Sequence, residues 1–71
     1  MTDGDTKRGT VTAFDEGRGR GVVTADDGTS YEFHATRIAD GTRRIPTGVT
    51  VTFEVVPALR GRYEASKINR A

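Results

Sequence analysis

Residues 9–23, GTVTAFDEGRGRGVV, restrict the folds open to this chain more than any other stretch. Val11 to Phe14 is β-branched and aromatic, Asp15-Glu16-Gly17 breaks it, and Arg18 to Val23 resumes it. This is the pattern of two strands joined by a tight turn. Gly19 and Gly21 alternate with Arg18 and Arg20. Residues two apart in a strand share a face, so both arginines are expected on one side and both glycines on the other. A glycine inside a strand marks a sharp bend or the close approach of another backbone. Small, strongly curled sheets, such as five-stranded barrels, need such bends.

The remaining segments read the same way. Residues 1–6 are small and polar, and a disordered N-terminal tail is expected there. Strands are expected over 7–14, 20–25 and 30–34, with Asp26-Asp27-Gly28 as a hairpin turn between the last two. In the third strand Tyr31 and Phe33 share the inward face, and Glu32 and His34 the other. Residues 35–38 suit one helical turn, and 39–47 a loop carrying Gly41, Arg43, Arg44 and Pro46. Over 48–56, Val49, Val51, Phe53 and Val55 alternate with Thr50, Thr52 and Glu54, a two-residue period with one buried and one wet face. Pro57 ends it, 58–61 is a loop, and 62–68 is the last strand, with Ile68 a core contact. No stretch has a 3.6-residue period. Five short strands separated by turn signals predict an all-β fold, a small five-stranded antiparallel barrel formed by residues 7–71 as one domain.

At 71 residues the chain is one small domain of marginal stability. It has no cysteine and one histidine, so neither a disulfide nor a cysteine or multi-histidine metal site is expected. No apolar run approaches the roughly 20 residues needed to span a bilayer, and MTDGDTKR has no apolar core of a secretory signal. No membrane association and a cytoplasmic location are the expectations. Net charge is +1 and the isoelectric point near 8.2, mild for a nucleic-acid binder. The distribution says more: arginines gather at 18/20, 43/44 and 60/62, with Asp15, Glu16, Asp26, Asp27, Glu32 and Asp40 among them.

The pattern Gly9-x-Val11-x-x-Phe14-(three residues)-Arg18-Gly19-x-Gly21 resembles the first two strands of bacterial cold-shock proteins. Asp26-Asp27-Gly28, Phe33-His34, Thr36-x-Ile38, Gly41, Gly48-x-x-Val51-x-Phe53 and Arg60-Gly61 follow in that family's order and spacing. The motifs are short; their colinearity from Gly9 almost to the end carries the resemblance. It implies a five-stranded barrel of the oligonucleotide/oligosaccharide-binding (OB) type. It also implies a module that binds single-stranded RNA or DNA, as an RNA chaperone or a regulator of transcription or translation. The departures concern the exposed aromatics of the family's binding face. At those positions this chain has Ala13, Arg20, Val22, Glu32 and Ala35, with Thr42 for a further loop aromatic, while Phe14 and His34 remain.

The candidate nucleic-acid-binding residues are Phe14, Arg18, Arg20, His34, Arg60 and Arg62. Guanidinium groups neutralise phosphates and stack on bases. The resemblance puts Arg18 and Arg60 where the family has basic residues contacting the strand, and Arg20 where it has a stacking ring. Arg20 has a competing role, an opposite-charge cross-strand pair with Glu32 worth about 0.2–1 kcal/mol. His34 matches a histidine that stacks on or hydrogen-bonds a base; otherwise it is an exposed strand residue beside Glu32. Phe14 either stacks on a base or closes one end of the core. Tyr63, after Arg62, offers ring area that the missing aromatics do not. Asp15, Glu16, Asp26 and Asp27 suit turn formation better than metal ligation.

No nucleophile motif accompanies the single histidine, so no catalytic residue, enzymatic activity or cofactor is expected. Each lost base–aromatic stack removes roughly 1–3 kcal/mol, so binding is expected to be weak and steep in salt. The alternative is a barrel turned to protein contact through Ala13, Val22 and Ala35 beside the Arg20/Glu32 pair. A monomer is expected in either case.

Overall fold

A computed structural model describes residues 6–39, 41, 42 and 44–71. Five strands, β1 (Thr6–Asp15), β2 (Arg20–Ala25), β3 (Ser30–His34), β4 (Thr50–Pro57) and β5 (Tyr63–Arg70), close into a barrel in the order β1-β2-β3-β5-β4. The all-β, five-stranded barrel expected from the strand pattern is therefore what forms, of the OB type that the resemblance implies. Single 3₁₀ turns occupy Ala35–Arg37 and Leu59–Gly61. The expected tail lies outside the described residues except for Thr6, which opens β1 opposite Glu54 instead. Asp40 and Arg43 of the long loop also lie outside them.

β1 pairs antiparallel with both β2 and β4, β2 with β3, and β4 with β5. The seam between β3 and β5 runs parallel and places Glu32 opposite Glu64. Beyond it, Ile38 bridges to Ile68. The core follows the alternation read from the sequence: Val11, Val23, Phe33, Val51, Phe53 and Ile68 are essentially inaccessible. Ile45, from the long loop, joins them.

Two departures from simple alternation shape the wall. The β1–β2 register shifts between Val11 and Ala13, so Thr12 has no partner of its own. Such a bulge resets the alternation. Val11 is buried, Ala13 exposed, and Phe14 turns back toward the interior, its ring stacked on Phe33 with centroids 6.1 Å apart and planes 16° from parallel. On β2, Gly21 is buried where a side chain would not fit: a Cβ there would come 2.5 Å from Cζ of Phe33 and 2.8 Å from the Ala13 carbonyl oxygen. This is the close approach expected of a glycine in a strand.

Gly19 differs. It has φ +67° and ends the turn before β2, with its N–H donating to the Asp15 carbonyl at 2.8 Å. Arg18 is therefore a turn residue and not a strand residue, which corrects the expectation that Arg18 and Arg20 alternate on one strand face. The left-handed glycine between them breaks the two-residue period.

The acidic residues of the turns do turn chemistry. Asp15 Oδ1 accepts the Arg18 N–H at 3.2 Å, and Asp27 Oδ1 accepts the Thr29 N–H at 2.9 Å. The hydrogen bond from the Thr29 backbone holds the Asp27 carboxyl below its usual value. Glu16 pairs with Arg44, tying the β1–β2 turn to the long loop.

Candidate nucleic-acid interface

A groove of about 720 Å³ runs along the outside of β3 and is walled on its other side by the β4–β5 connection and the start of β5. β3 presents its outward residues there because Tyr31 and Phe33 point to the core, leaving Ser30, Glu32 and His34 outside. From β2, Arg20 lies directly opposite His34 and reaches the same face. From the connection come Arg60 and Arg62, and from the first residues of β5 Tyr63 and Glu64.

Arg60 is held at φ +62° and ψ +36°, a left-handed conformation that a non-glycine residue adopts at a cost. Tyr63 keeps 60% of its surface exposed and Leu59 85%, the two large apolar side chains left to solvent among the described residues. His34 Nε2 lies 3.6 Å from the Glu64 carboxylate. The groove thus carries three guanidinium groups, two carboxylates, an imidazole and two phenols, that of Tyr63 open to solvent and that of Tyr31 half-buried.

Of the six residues singled out in the sequence, Arg20, His34, Arg60 and Arg62 share this groove. Phe14 is half-buried against Phe33 and packs on the core. Arg18 stands apart on the β1–β2 turn, highly exposed and 3.7 Å from Asp15. The competing Arg20/Glu32 pair does not form: Glu32 sits opposite Val22, one step diagonal from Arg20, and neither makes an ion pair within 4 Å among the described residues. Ser30, Leu59 and Glu64 were not legible as groove residues. Their place depends on the parallel β3–β5 pairing, which leaves no local signal in the chain.

Among the described residues no three His, Cys, Asp or Glu side chains are gathered to hold a metal ion, and no helix is long and apolar enough to cross a membrane.

The closed five-strand order is that of an OB-type barrel, and its fold matches that of a cold-shock domain. In structure the chain is similar to Drosophila Unr CSD456, a cold-shock-domain protein, with a TM-score of 0.77 and 25% sequence identity over 93% of this chain. It spans 26% of that longer chain. No protein-family model matches the sequence, and no curated protein matches it either.

Proposed function

We propose that this barrel is a single-stranded nucleic-acid-binding module of cold-shock type in which charge replaces most of the stacking. The observation that carries the reading is the convergence of Arg20, His34, Arg60 and Arg62 on one groove beside an exposed tyrosine. Arginines contact phosphates and lie flat on bases, and Tyr63 supplies one ring face. Arg18, on the adjoining turn, adds a cation to the same polyanion, and Phe14 offers only the part of its ring that the core and Phe33 leave uncovered. With Ala13, Val22 and Glu32 in place of rings, affinity rests on phosphate neutralisation and falls steeply with salt. A role as an RNA chaperone or a regulator of transcription or translation, acting as a monomer in the cytoplasm, accords with such binding.

The test is a fluorescence-anisotropy titration with a labelled single-stranded RNA of mixed sequence. Neutralisation of three phosphates predicts a slope of about −2 in log affinity against log salt. Absence of saturable binding at low ionic strength refutes the proposal. The exposed Leu59 favours a second reading, contact with a protein partner. Backbone-amide shifts separate the two: RNA moves residues 20, 32, 34 and 60–64 under the first and leaves them in place under the second.

A further inference from the structure

Three hydroxyls form a chain across the outer face of the first three strands. Thr12 Oγ1 donates to the Val22 carbonyl at 3.3 Å. Thr12 and Thr24 hydroxyl oxygens lie 3.2 Å apart, and those of Thr24 and Ser30 3.1 Å apart. Each hydroxyl has one hydrogen. A carbonyl can only accept, so the Thr12 hydrogen is committed to Val22. With all three contacts made at once, Thr24 donates to Thr12 and Ser30 donates to Thr24. The chain is polarised in one direction, and it ends at Ser30, which lines the groove. In that arrangement the Ser30 hydrogen is engaged by Thr24, and Ser30 Oγ turns lone pairs toward the groove.

Beside it on the same face stands Glu32, a carboxylate with no ion-pair partner within 4 Å among the described residues, and acceptor-only by nature. The groove's donors are the guanidinium groups of Arg20, Arg60 and Arg62, whose natural partners are phosphates, together with the His34 imidazole and the hydroxyls of Tyr31 and Tyr63. Between these cations, Ser30 and Glu32 on β3 offer nothing but acceptors. A base laid there is accepted if it brings N–H groups and opposed if it brings carbonyl oxygens. Cytosine, adenine and guanine carry exocyclic or ring N–H donors at an edge. Uracil and thymine flank their one N–H with two carbonyl oxygens.

Resting on the nucleic-acid reading, we infer that Ser30 and Glu32 select amino-bearing bases over uracil and thymine at this groove. The selection is made by hydrogen-bond polarity and not by ring stacking, and it reads the base and not the sugar.

The test measures affinity for labelled hexamers of cytidine, uridine, deoxycytidine and deoxythymidine at one low salt concentration. Cytosine hexamers should bind about fivefold or more tightly than their uracil or thymine counterparts in both sugar series. Ser30→Ala removes one acceptor, and Glu32→Gln turns the other into a mixed donor and acceptor; each should bring the ratio toward one. Because the readout is a ratio, a partly unfolded variant does not imitate the effect. Equal affinity for cytosine and uracil hexamers overturns the inference while leaving the nucleic-acid reading in place. A preference that follows ribose against deoxyribose, or a ratio unchanged in both variants, overturns it as well. Failure of every hexamer to bind overturns both readings.

Discussion

The two seams made by β5 are built on opposite terms. Against β4 it runs antiparallel along the length of both strands, from Val51 opposite Arg70 to Pro57 opposite Tyr63. Val51, Phe53, Ala65 and Ile68 beneath that seam are at most 1% exposed. Against β3 it runs parallel, meets at Glu32 opposite Glu64, and is picked up again where Ile38 bridges to Ile68. Parallel pairing is slightly weaker per residue, and like charges placed opposite each other oppose it further. The groove lies along this second seam. The barrel thus places its cohesion on one side of β5 and its candidate chemistry on the other, where a wall of polar side chains takes the place of a continuous ladder.

The largest expected effect breaks the strong side. Phe53→Ala removes one of the largest buried side chains and leaves a cavity, a loss of about 3–5 kcal/mol. A chain of this size has on the order of 5 kcal/mol in total, so urea titration followed by circular dichroism should find the variant largely unfolded at 25 °C. A variant that keeps a cooperative transition near the parent midpoint would show that the β4–β5 side is not where cohesion resides. Next is Gly21→Ala. The added methyl meets Phe33 and the Ala13 carbonyl at contact distances that force the wall apart. Overpacking of this kind costs about 1–3 kcal/mol, read as a lowered urea midpoint with unchanged slope.

The same division decides what the sequence discloses. β2 and β3 are legible to the residue, because Asp26-Asp27-Gly28 and the alternation of Tyr31 and Phe33 are local signals. β4 is legible as a strand from its alternating valines, although its ladder begins at Thr50 and not at Gly48. Phe14 is not decidable from periodicity, because the bulge at Thr12 changes which face it occupies. Arg18 misleads for a related reason: nothing local states that Gly19 is left-handed and not extended. The groove is half legible. Arginine clustering and the cold-shock spacing pick out Arg20, His34, Arg60 and Arg62, whereas Ser30, Leu59 and Glu64 enter through a pairing about 30 residues apart in the chain. Side-chain pattern encodes which face is wet; it does not encode which distant strand completes the wall.

Arg60→Gly separates the two functions of the weak side. Glycine takes the left-handed backbone without a Cβ penalty, so stability should hold or rise by up to about 1 kcal/mol. Loss of the cation should weaken RNA binding about fivefold and flatten the salt slope by about 0.7. Affinity and stability then move in opposite directions, the signature of backbone strain held at a binding position. A fall in both would assign Arg60 to structure instead.

The smallest effect asks whether the parallel seam is weak by necessity or by its choice of side chains. Glu32 and Glu64 face each other across it, and Glu64 has His34 within 3.6 Å while Glu32 has no such partner among the described residues. Directly opposed like charges cost a few tenths of a kcal/mol, up to about 1. Glu32→Gln removes one charge, keeps the shape, and lets an amide N–H donate toward the Glu64 carboxylate. Stability should therefore rise by about 0.2–1 kcal/mol at low salt, and the gain should shrink as salt screens the repulsion it relieves. Hydrogen exchange at the β3 and β5 amides beside the groove should slow by a matching factor, with no change at β4 amides that pair with β1. A gain of equal size at low and high salt would place its origin in the new hydrogen bond, and no gain would mean that the two carboxylates already avoid each other through solvent. In either of those cases the weakness of the seam is geometric, set by a parallel pairing that touches at Glu32 and does not resume until Ile38, and the acidic pair is free to serve the groove at little cost to the fold.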